Sequence, residues 1–196
     1  MTRILAFSDL HGIRSAATRL VAAAETADLV IGAGDFCTMR QGLADAMALL
    51  SAMAGKAVYV PGNAETADEL RATTTARVLH GDGATLAGVT LFGLGYAVPE
   101  TPFGKWSCDL TEPAASDLLA GLARVDILVT HSPPKGVADR ASGGHSLGST
   151  AIRDAITRTQ PRYCLCGHIH DSWGQRGRVG LTEVINLGPQ PVWIDL

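Results

Sequence analysis

The sequence has no long apolar run of the kind that marks a membrane protein. None of its apolar stretches approaches the roughly 20 residues that a spanning helix needs, so we expect no transmembrane segment. Asp9 interrupts the first apolar stretch, which therefore does not resemble the core of a secretory signal. We expect a cytoplasmic protein that does not engage a membrane.

Cysteine is scarce and the charges nearly balance. The 196 residues include four cysteines and carry a formal net charge of -3. Cys164 and Cys166 would share one face of a strand at too great a separation for a comfortable disulfide, which favours buried free thiols. The small net charge gives no electrostatic reason to expect a nucleic acid as partner. Without repeats or linkers, the length suits one domain over residues 1–196.

Side chains that bind metals follow five apolar, strand-like runs. The clusters are Asp9-Leu10-His11, Gly34-Asp35, Gly62-Asn63, Thr130-His131 and Gly167-His168-Ile169-His170. Because open α/β folds bind ligands where parallel strands end at one edge, we expect these side chains to converge. Four imidazoles, two carboxylates and one amide predict a divalent-metal site that suits Mn, Fe, Zn, Co or Ni better than Ca or Mg.

Strand and helix patterns alternate over much of the chain and predict a mixed α/β fold. In the first third, strands at 3–8, 28–33 and 57–61 each precede a helix, at 14–26, 41–54 and 65–72, which indicates parallel strands. Helices near 113–123 and 149–159 precede strands at 125–130 and 162–166. The middle segments 77–80, 84–87 and 89–94 predict a meander. The last segments, 177–180, 183–187 and 190–195, predict antiparallel strands.

Two irregular segments, 95–112 and 132–149, are long enough to suggest a functional role. Tyr96, Phe103 and Trp106 in the first could line an apolar side of a substrate cleft or could simply anchor the loop. His145 in the second follows a predicted metal ligand, His131. We hypothesise that it binds substrate or transfers a proton, and the alternative is an exposed loop histidine.

The ordered series Asp-x-His, Gly-Asp, Gly-Asn, His and Gly-His-x-His, which runs from Asp9 to His170, resembles that of the calcineurin-like metallophosphoesterases. The resemblance implies a four-layer αββα sandwich, in which helices flank two mixed β-sheets. It also implies that two divalent transition-metal ions, with Mn²⁺ favoured, are shared among seven ligands. By the resemblance, the first ion is held by Asp9, His11 and His170, the second by Asn63, His131 and His168, and Asp35 bridges them.

The resemblance implies hydrolysis of a P–O bond by in-line attack of a hydroxide that bridges the metals. One departure from the family pattern bears on this chemistry. Many relatives have a histidine or another polar residue after Gly-Asn, where the histidine helps to protonate the leaving group, but this chain has Ala64. General acid help is typically worth about 10²–10⁴ in rate. Either another group supplies the proton, or only good leaving groups react, or hydrolysis is slow. A lesser departure is Thr38, where many relatives have an acidic residue or histidine.

We therefore expect a metal-dependent phosphoesterase, more specifically a phosphodiesterase, acting on a small phosphate ester such as a nucleotide or cyclic nucleotide. Its expected catalytic residues are Asp35, Asn63, His131 and His145, of which Asn63 and His145 would contact the substrate. The alternative is a scaffold or binding protein that keeps the fold with little or no catalysis. The sequence leaves open the natural substrate, the native metal and whether the chain forms a homo-oligomer.

Overall fold

The chain forms eleven β-strands and five α-helices, and the computed structural model describes all residues 1–196. The strands are β1 Arg3–Phe7, β2 Leu29–Gly32, β3 Ala57–Tyr59, β4 Arg77–Val78, β5 Asp82–Leu86, β6 Val89–Leu94, β7 Ile127–Thr130, β8 Tyr163–Cys166, β9 Arg176–Val179, β10 Thr182–Asn186 and β11 Val192–Asp195. The helices are α1 Arg14–Ala24, α2 Leu43–Leu50, α3 Ala67–Thr73, α4 Glu112–Leu119 and α5 Thr150–Thr159.

The strands form two mixed sheets. The first has the order β11-β1-β2-β3-β4, in which β1 to β4 are parallel and β11 is antiparallel to β1. The second has the order β5-β6-β7-β8-β10-β9, with a parallel centre and antiparallel strands β5 and β9 at its two edges. Helical crossovers such as α1, between β1 and β2, account for most of the parallel pairs, whereas β8 and β10 are connected through β9.

Alternation along the strands divides the buried side chains into three layers of core. In β1, Leu5 and Phe7 join a cluster with residues of α1 and α2, whereas Ile4 and Ala6 join a cluster shared by both sheets. A third cluster packs the outer face of the second sheet against α4 and α5. Because successive strand residues face opposite sides, each sheet is covered on both faces. The expected αββα sandwich is confirmed.

Three helices begin at hydroxyl caps. The side chains of Thr66, Thr111 and Ser149 each accept a hydrogen bond from a backbone N–H three residues further on. These caps satisfy donors that have no partner within the first helical turn. The second helix ends earlier than the pattern predicts, at Leu50, because the chain tightens into a 3₁₀ helix over Ser51–Lys56.

Two predicted strand arrangements are wrong. The segment 77–80 does not belong to a meander, because β4 joins the first sheet parallel to β3 and only β5 and β6 form a hairpin. The last strand does not extend the antiparallel pair β9–β10, because β11 crosses to the first sheet and pairs with β1. Its Ile194 lies opposite Ile4 and joins the core between the sheets. Hydrophobic alternation reports that a strand is half-buried, not which sheet it joins.

None of the helices is long and apolar enough to span a bilayer. The cysteines are unpaired, as predicted, and three of the four are buried.

Candidate metal centre

Five strands from two sheets end at one place, and the loops that follow them carry the predicted ligands. In the first sheet, β1 leads to Asp9 and His11, β2 to Asp35 and β3 to Asn63. In the second sheet, β7 leads to His131 and β8 to His168 and His170. The side chains that the structure brings together here are Asp9, His11, Asp35, Asn63, His131, His168 and His170.

The backbone at this edge is unusual. Four residues here have positive φ values, which residues other than glycine rarely adopt: 51° at Asp9, 47° at His11, 55° at Asp35 and 67° at His168. Such strain is found where the surrounding structure fixes a functional geometry. The adjacent glycines permit the close approach of the loops, because a Cβ at Gly62 would overlap the Asp35 carboxylate.

One half of the site consists of Asp9, His11 and His170. The Nε2 atoms of His11 and His170 lie 3.2 Å apart, and His170 Nε2 lies 3.8 Å from Asp9 Oδ1. Ligand atoms of all three residues lie within 4.8 Å of one another. His11 Nδ1 lies 3.1 Å from the carbonyl oxygen of Cys37, which can only accept. The neutral ring therefore carries its proton on Nδ1 and directs the Nε2 lone pair into the site.

The other half consists of Asn63, His131 and His168. His131 Nε2 lies 3.0 Å from Asn63 Oδ1, and the rings of His131 and His168 are 4.9 Å apart at their centroids. His131 Nδ1 donates to the carbonyl oxygen of Ala33 at 2.8 Å, which again leaves Nε2 with a lone pair. That lone pair faces the Asn63 oxygen, and a cation between the two atoms would remove their repulsion.

Asp35 lies between the two halves. Its Oδ2 is 3.7 Å from His11 Nε2, and its Oδ1 is 3.5 Å from His131 Nε2. Asp9, Asp35 and His131 also place ligand atoms within 4.8 Å of one another, so Asp9 reaches toward both groups. A carboxylate with one oxygen toward each half is suited to bridging two ions.

The electrostatics of the site favour a cation. Burial and, after it, repulsion from the nearby Asp9 carboxylate raise the pKa of Asp35 to about 7, although His11 partly opposes both. Burial, followed by repulsion from His131, His170 and His11, holds the pKa of His168 well below its ordinary value. Two crowded carboxylates and an unprotonated His168 are groups that a bound cation would stabilise in this buried place. This donor set fits divalent transition metals, which bind deprotonated ligands.

Glu65 supports the site, although no sequence pattern singled it out. Its buried carboxylate accepts hydrogen bonds from the backbone N–H groups of Asp35 at 2.8 Å, Phe36 at 3.1 Å and Gly62 at 2.7 Å. Burial, followed by repulsion from Asp35, raises its pKa to about 7. The side chain ties the loop after β2 to the loop after β3. Its position two residues after Asn63 was the only available signal.

Trp173 is a second residue that sequence reasoning missed. Its indole N–H donates to Asp9 Oδ2 at 3.0 Å, and its ring lies 4.3 Å from the ring of His170. Ser8 Oγ donates to the same carboxylate oxygen at 2.5 Å, and His168 N–H donates to both oxygens of Asp9. Trp173 therefore fixes one predicted ligand by hydrogen bonding and another by stacking.

Asn63 is oriented by its neighbours in the segment 95–112. Its amide nitrogen donates to Ser107 Oγ at 3.0 Å, and Ser107 in turn donates to Asp109 Oδ1 at 2.5 Å. Because the nitrogen is engaged in this way, the amide oxygen points toward His131.

His145 lies outside this cluster. Its side chain is exposed, and the neighbouring residues Ala141 and Leu147, rather than His145, line a cavity beside the site. Its role in binding or proton transfer remains a prediction. Ala64 is buried, and only its backbone N–H reaches the site, donating to Asp35 Oδ1 at 2.8 Å.

The site opens into a cleft of about 320 Å³. Its walls are His11, Asp35, Asn63, Phe103, Trp106, His168 and His170. A larger hollow of about 470 Å³ lies against α2, but only alanine, methionine, serine and threonine line it. We assign the chemistry to the smaller cleft because it alone of the two contains titratable groups.

Comparison with known proteins agrees with this geometry. The calcineurin-like phosphoesterase family matches residues 2–172, and the chain belongs to that family. The family usually holds a dinuclear metal site, for which this chain has candidate ligand groups. The chain is thus a member of a family of metal-binding phosphoester hydrolases.

Curated relatives extend the similarity without naming an activity. A UPF0046 protein of Caenorhabditis elegans is 31% identical over 122 residues, which is 62% of this chain and 40% of that protein. A second C. elegans UPF0046 protein is 37% identical over 65 residues, 33% of this chain and 16% of its own length. The match therefore spans less than half of each nematode relative. An uncharacterised protein of Methanocaldococcus jannaschii is 26% identical over 203 residues, and this match covers 98% of this chain and 90% of that protein.

Solved structures share the fold at low sequence identity. The protein TT1561 of Thermus thermophilus superimposes with a TM-score of 0.73 at 18% identity, covering 99% of this chain and 98% of that one. A dimetal phosphatase from Danio rerio superimposes with a TM-score of 0.64 at 14% identity, covering 96% and 88%. These similarities establish the αββα architecture.

Proposed function

We propose that this chain is a dinuclear metal-dependent phosphodiesterase that acts on a small phosphate ester, such as a nucleotide or cyclic nucleotide. The observation that carries the proposal is the position of Asp35, with one carboxylate oxygen toward His11 and the other toward His131. Two half-sites of mixed oxygen and nitrogen ligands around a shared carboxylate suit a pair of ions. We further propose that the whole chain works as one domain.

The proposed ligands divide as the two halves of the site do. Asp9, His11 and His170 would hold one ion; Asn63, His131 and His168 would hold the other; Asp35 would bridge them. We favour Mn²⁺ because the donors are carboxylate, imidazole and amide without thiolate, and Fe, Zn, Co and Ni fit the same donors. When bound, such a pair neutralises charge on the phosphoryl oxygens and lowers the pKa of a water that attacks phosphorus.

The residues of the chain contribute orientation. Backbone carbonyls of Cys37 and Ala33 fix the tautomers of His11 and His131, so each directs an unprotonated nitrogen at the centre. The Ser107 hydroxyl fixes the Asn63 amide, and Glu65 holds the loops of Asp35 and Asn63 at one spacing. Catalysis then depends on a preorganised site rather than on a protein nucleophile.

The preference for diesters follows from Ala64. This side chain cannot protonate a leaving group, and general acid help is worth about 10²–10⁴ in rate. Alkyl monoesters, which have poor leaving groups, should lose most from its absence. Aryl or cyclic diesters should lose least, because of their better leaving groups or ring strain. We propose that His145 contributes to substrate binding or protonation from its neighbouring loop.

Metal reconstitution tests the proposal. Chelator-treated protein is loaded separately with Mn²⁺, Fe²⁺, Co²⁺, Ni²⁺ or Zn²⁺ and assayed with bis(p-nitrophenyl) phosphate. We expect turnover with at least Mn²⁺, lost in His168→Ala while the circular dichroism spectrum stays native. His80→Ala is a matched control, because His80 packs on Tyr96 away from the cleft. Failure of every metal to support hydrolysis would contradict the proposal.

A non-catalytic scaffold is the second candidate, and Ala64 is the observation that favours it. A scaffold could still retain ions, so metal content alone does not separate the two functions. Turnover separates them: an enzyme hydrolyses the ester and loses this activity in His168→Ala while the fold stays intact. Native-like protein that binds metal and hydrolyses no monoester or diester would identify the scaffold.

A further inference from the structure

A second cavity adjoins the cleft that contains the predicted ligands. It measures about 250 Å³ and shares Phe103, His168 and His170 with that cleft. Pro99 and Leu147 are among the apolar residues that line it, from two different loops. A molecule whose phosphate lay in the cleft could therefore place an attached group in this cavity without crossing open solvent.

Exposed apolar side chains are concentrated around this site. Seven large hydrophobic residues are exposed, and only Met1 and Leu181 lie away from the segments that carry or line the site. The other five are Ile13, Met39, Phe103, Leu147 and Trp173. Single exposed hydrophobics are ordinary, but Phe103 and Leu147 both line the cavity beside the cleft, so two of the five face the same opening and could be covered by one bound group.

Phe103 and Trp106 form a flat wall within that group. Their rings stack with centroids 5.6 Å apart and planes 8° from parallel. Both residues line the cleft, and Phe103 is 51% exposed. A stacked aromatic pair with an exposed ring offers a face to another flat group.

The wall is held in register with the metal ligands. Thr101 N–H donates to Asp109 Oδ2 at 2.8 Å, and Cys108 N–H donates to the Asn63 carbonyl oxygen at 2.9 Å. Together with the bond from Asn63 to Ser107, these contacts secure the chain on both sides of the two aromatic residues. A pre-formed wall loses little entropy when a ligand binds.

The charges of the cavity decide what kind of group fits. Glu100 and Asp171 line it, and no lysine or arginine does. A second phosphate or a carboxylate would meet these acids without a cationic partner, which is unfavourable. An uncharged group would instead cover the apolar wall and avoid that repulsion.

We propose that the Phe103–Trp106 wall and the adjoining cavity bind a flat, uncharged aromatic ester group of the substrate. The inference rests on the proposed function, because it takes the phosphate of that ester to lie at the seven predicted ligands. It narrows the substrate class to diesters with an aryl ring or a nucleobase on the group that is retained. The occupant is tied to the cleft by continuity of the two cavities through Phe103.

Three esters with one leaving group test this assignment. Ethyl, phenyl and thymidine 5′-p-nitrophenyl phosphates all release p-nitrophenol, so differences in KM report the retained group. For the Mn²⁺-loaded protein we expect a KM about fivefold lower for a flat group than for ethyl, in the range of one stacking contact. A preference for phenyl alone identifies a simple aryl group as the occupant, and one for thymidine alone identifies a nucleobase.

Variants then locate the preference. In Phe103→Ala the KM ratio between ethyl and flat esters should fall toward one, and Phe103→Trp should restore it. Leu181→Ala removes an exposed hydrophobic residue distant from the cleft and should leave both KM values unchanged. Because p-nitrophenyl is itself a flat group, equal KM values for all three esters are judged by calorimetry: equal affinity of the unaltered protein for diphenyl and diethyl phosphate would overturn the inference. A preference that survives both Phe103→Ala and Trp106→Ala would overturn it as well.

Binding without turnover separates this inference from the proposed function. If no ester is hydrolysed, the proposed function has failed. Calorimetry with diphenyl and diethyl phosphate then decides whether the aromatic wall binds a flat group. The inference stands if diphenyl phosphate binds the Mn²⁺-loaded protein about fivefold more tightly and Phe103→Ala abolishes that difference. It falls if the two phosphates bind equally.

Discussion

The two halves of the candidate metal centre differ in how they are built. The side chain of His131 is completely buried, and its ring is fixed by the Ala33 carbonyl oxygen. The side chain of His170 is 50% exposed, and its ring packs against the rings of His11 and Trp173. The histidine His131 of one half is thus enclosed by the protein, whereas His170 of the other half is held at the surface by a few ring contacts, although its neighbour Asp9 is buried. The difference predicts that stability and metal affinity respond differently to changes in each half.

Removing the shared carboxylate should have the largest effect, because it acts on both halves. Asp35→Asn keeps the shape and can still accept from Ala64 N–H, but it loses the charge that faces His11 and His131. Since a metal pair supplies several kcal/mol of transition-state stabilisation, we expect turnover of bis(p-nitrophenyl) phosphate to fall by about 10³-fold or more. Steady-state assay at saturating Mn²⁺ measures it. Asp45→Asn, on a helix beside the site, serves as the control, and turnover within tenfold of normal in Asp35→Asn would contradict the shared role.

Histidine deletions compare the two halves in the metal-free protein. His131→Ala leaves the Ala33 carbonyl without its buried donor, and we expect the free energy of unfolding to fall by about 1–3 kcal/mol. His170→Ala removes a half-exposed ring and should change it by less than about 0.5 kcal/mol. Urea unfolding after chelation measures both values. Equal losses would show that the two halves are not distinguished by burial.

Orienting residues should affect one half at a time. Trp173→Phe keeps a ring beside His170 but removes the hydrogen bond to Asp9, and Ser107→Ala removes the acceptor that orients Asn63. Each change should weaken one of two Mn²⁺ binding steps by about 10–100-fold and spare the other, the usual range for such supporting contacts. Stepwise calorimetric titration resolves the two steps. Trp193→Phe is the control for the aromatic change, because Trp193 lies on β11 and stacks with Arg3 of β1. If both variants weakened the same step, the division into halves would be wrong.

The smallest effect is expected from adding a proton donor. Ala64 borders a cavity of about 240 Å³ that shares no lining residue with the cleft, so an imidazole in Ala64→His has room but must turn toward the cleft to act as a proton donor. We expect alkyl monoester turnover to rise about tenfold, at the low side of general acid catalysis because the ring is not held by evolved contacts. Aryl diester turnover, which needs less acid help, provides the internal control. A gain that is equal for both ester types would argue against missing acid catalysis as the cause of the preference.

The convergence of the seven predicted side chains was easier to predict from the sequence than the residues that hold them in place. Asp9 and Asp35 follow apolar runs, and parallel strands of one sheet end at a common edge, so the convergence of these two could be expected. His131 follows a strand of the second sheet, and its place beside them was implied by the family resemblance rather than by the strand pattern. The contacts of Trp173 and Ser107 could not be expected from the sequence, because they depend on how two irregular loops return to the site. Glu65 is similar, since its carboxylate meets a loop that lies 30 residues away in the chain.

The fold shows the same limit. The continuous apolar run in β1 predicted a strand, and its side chains enter buried clusters on both faces. The partners of β4 and β11 were predicted wrongly, because hydrophobic pattern records burial and not sheet identity. Ile194 lies opposite Ile4 because β11, near the end of the chain, pairs with β1, near its beginning. Such a long-range contact has no local signal in the sequence.

The central claim is that Asp35 joins two metal positions in one centre. Electron paramagnetic resonance of the protein titrated with Mn²⁺ tests it most directly, with metal content measured in parallel. We predict two Mn²⁺ per chain and a spectrum of exchange-coupled ions that collapses to isolated-ion signals in Asp35→Asn. One Mn²⁺ per chain, or two uncoupled ions in the unaltered protein, would contradict the account.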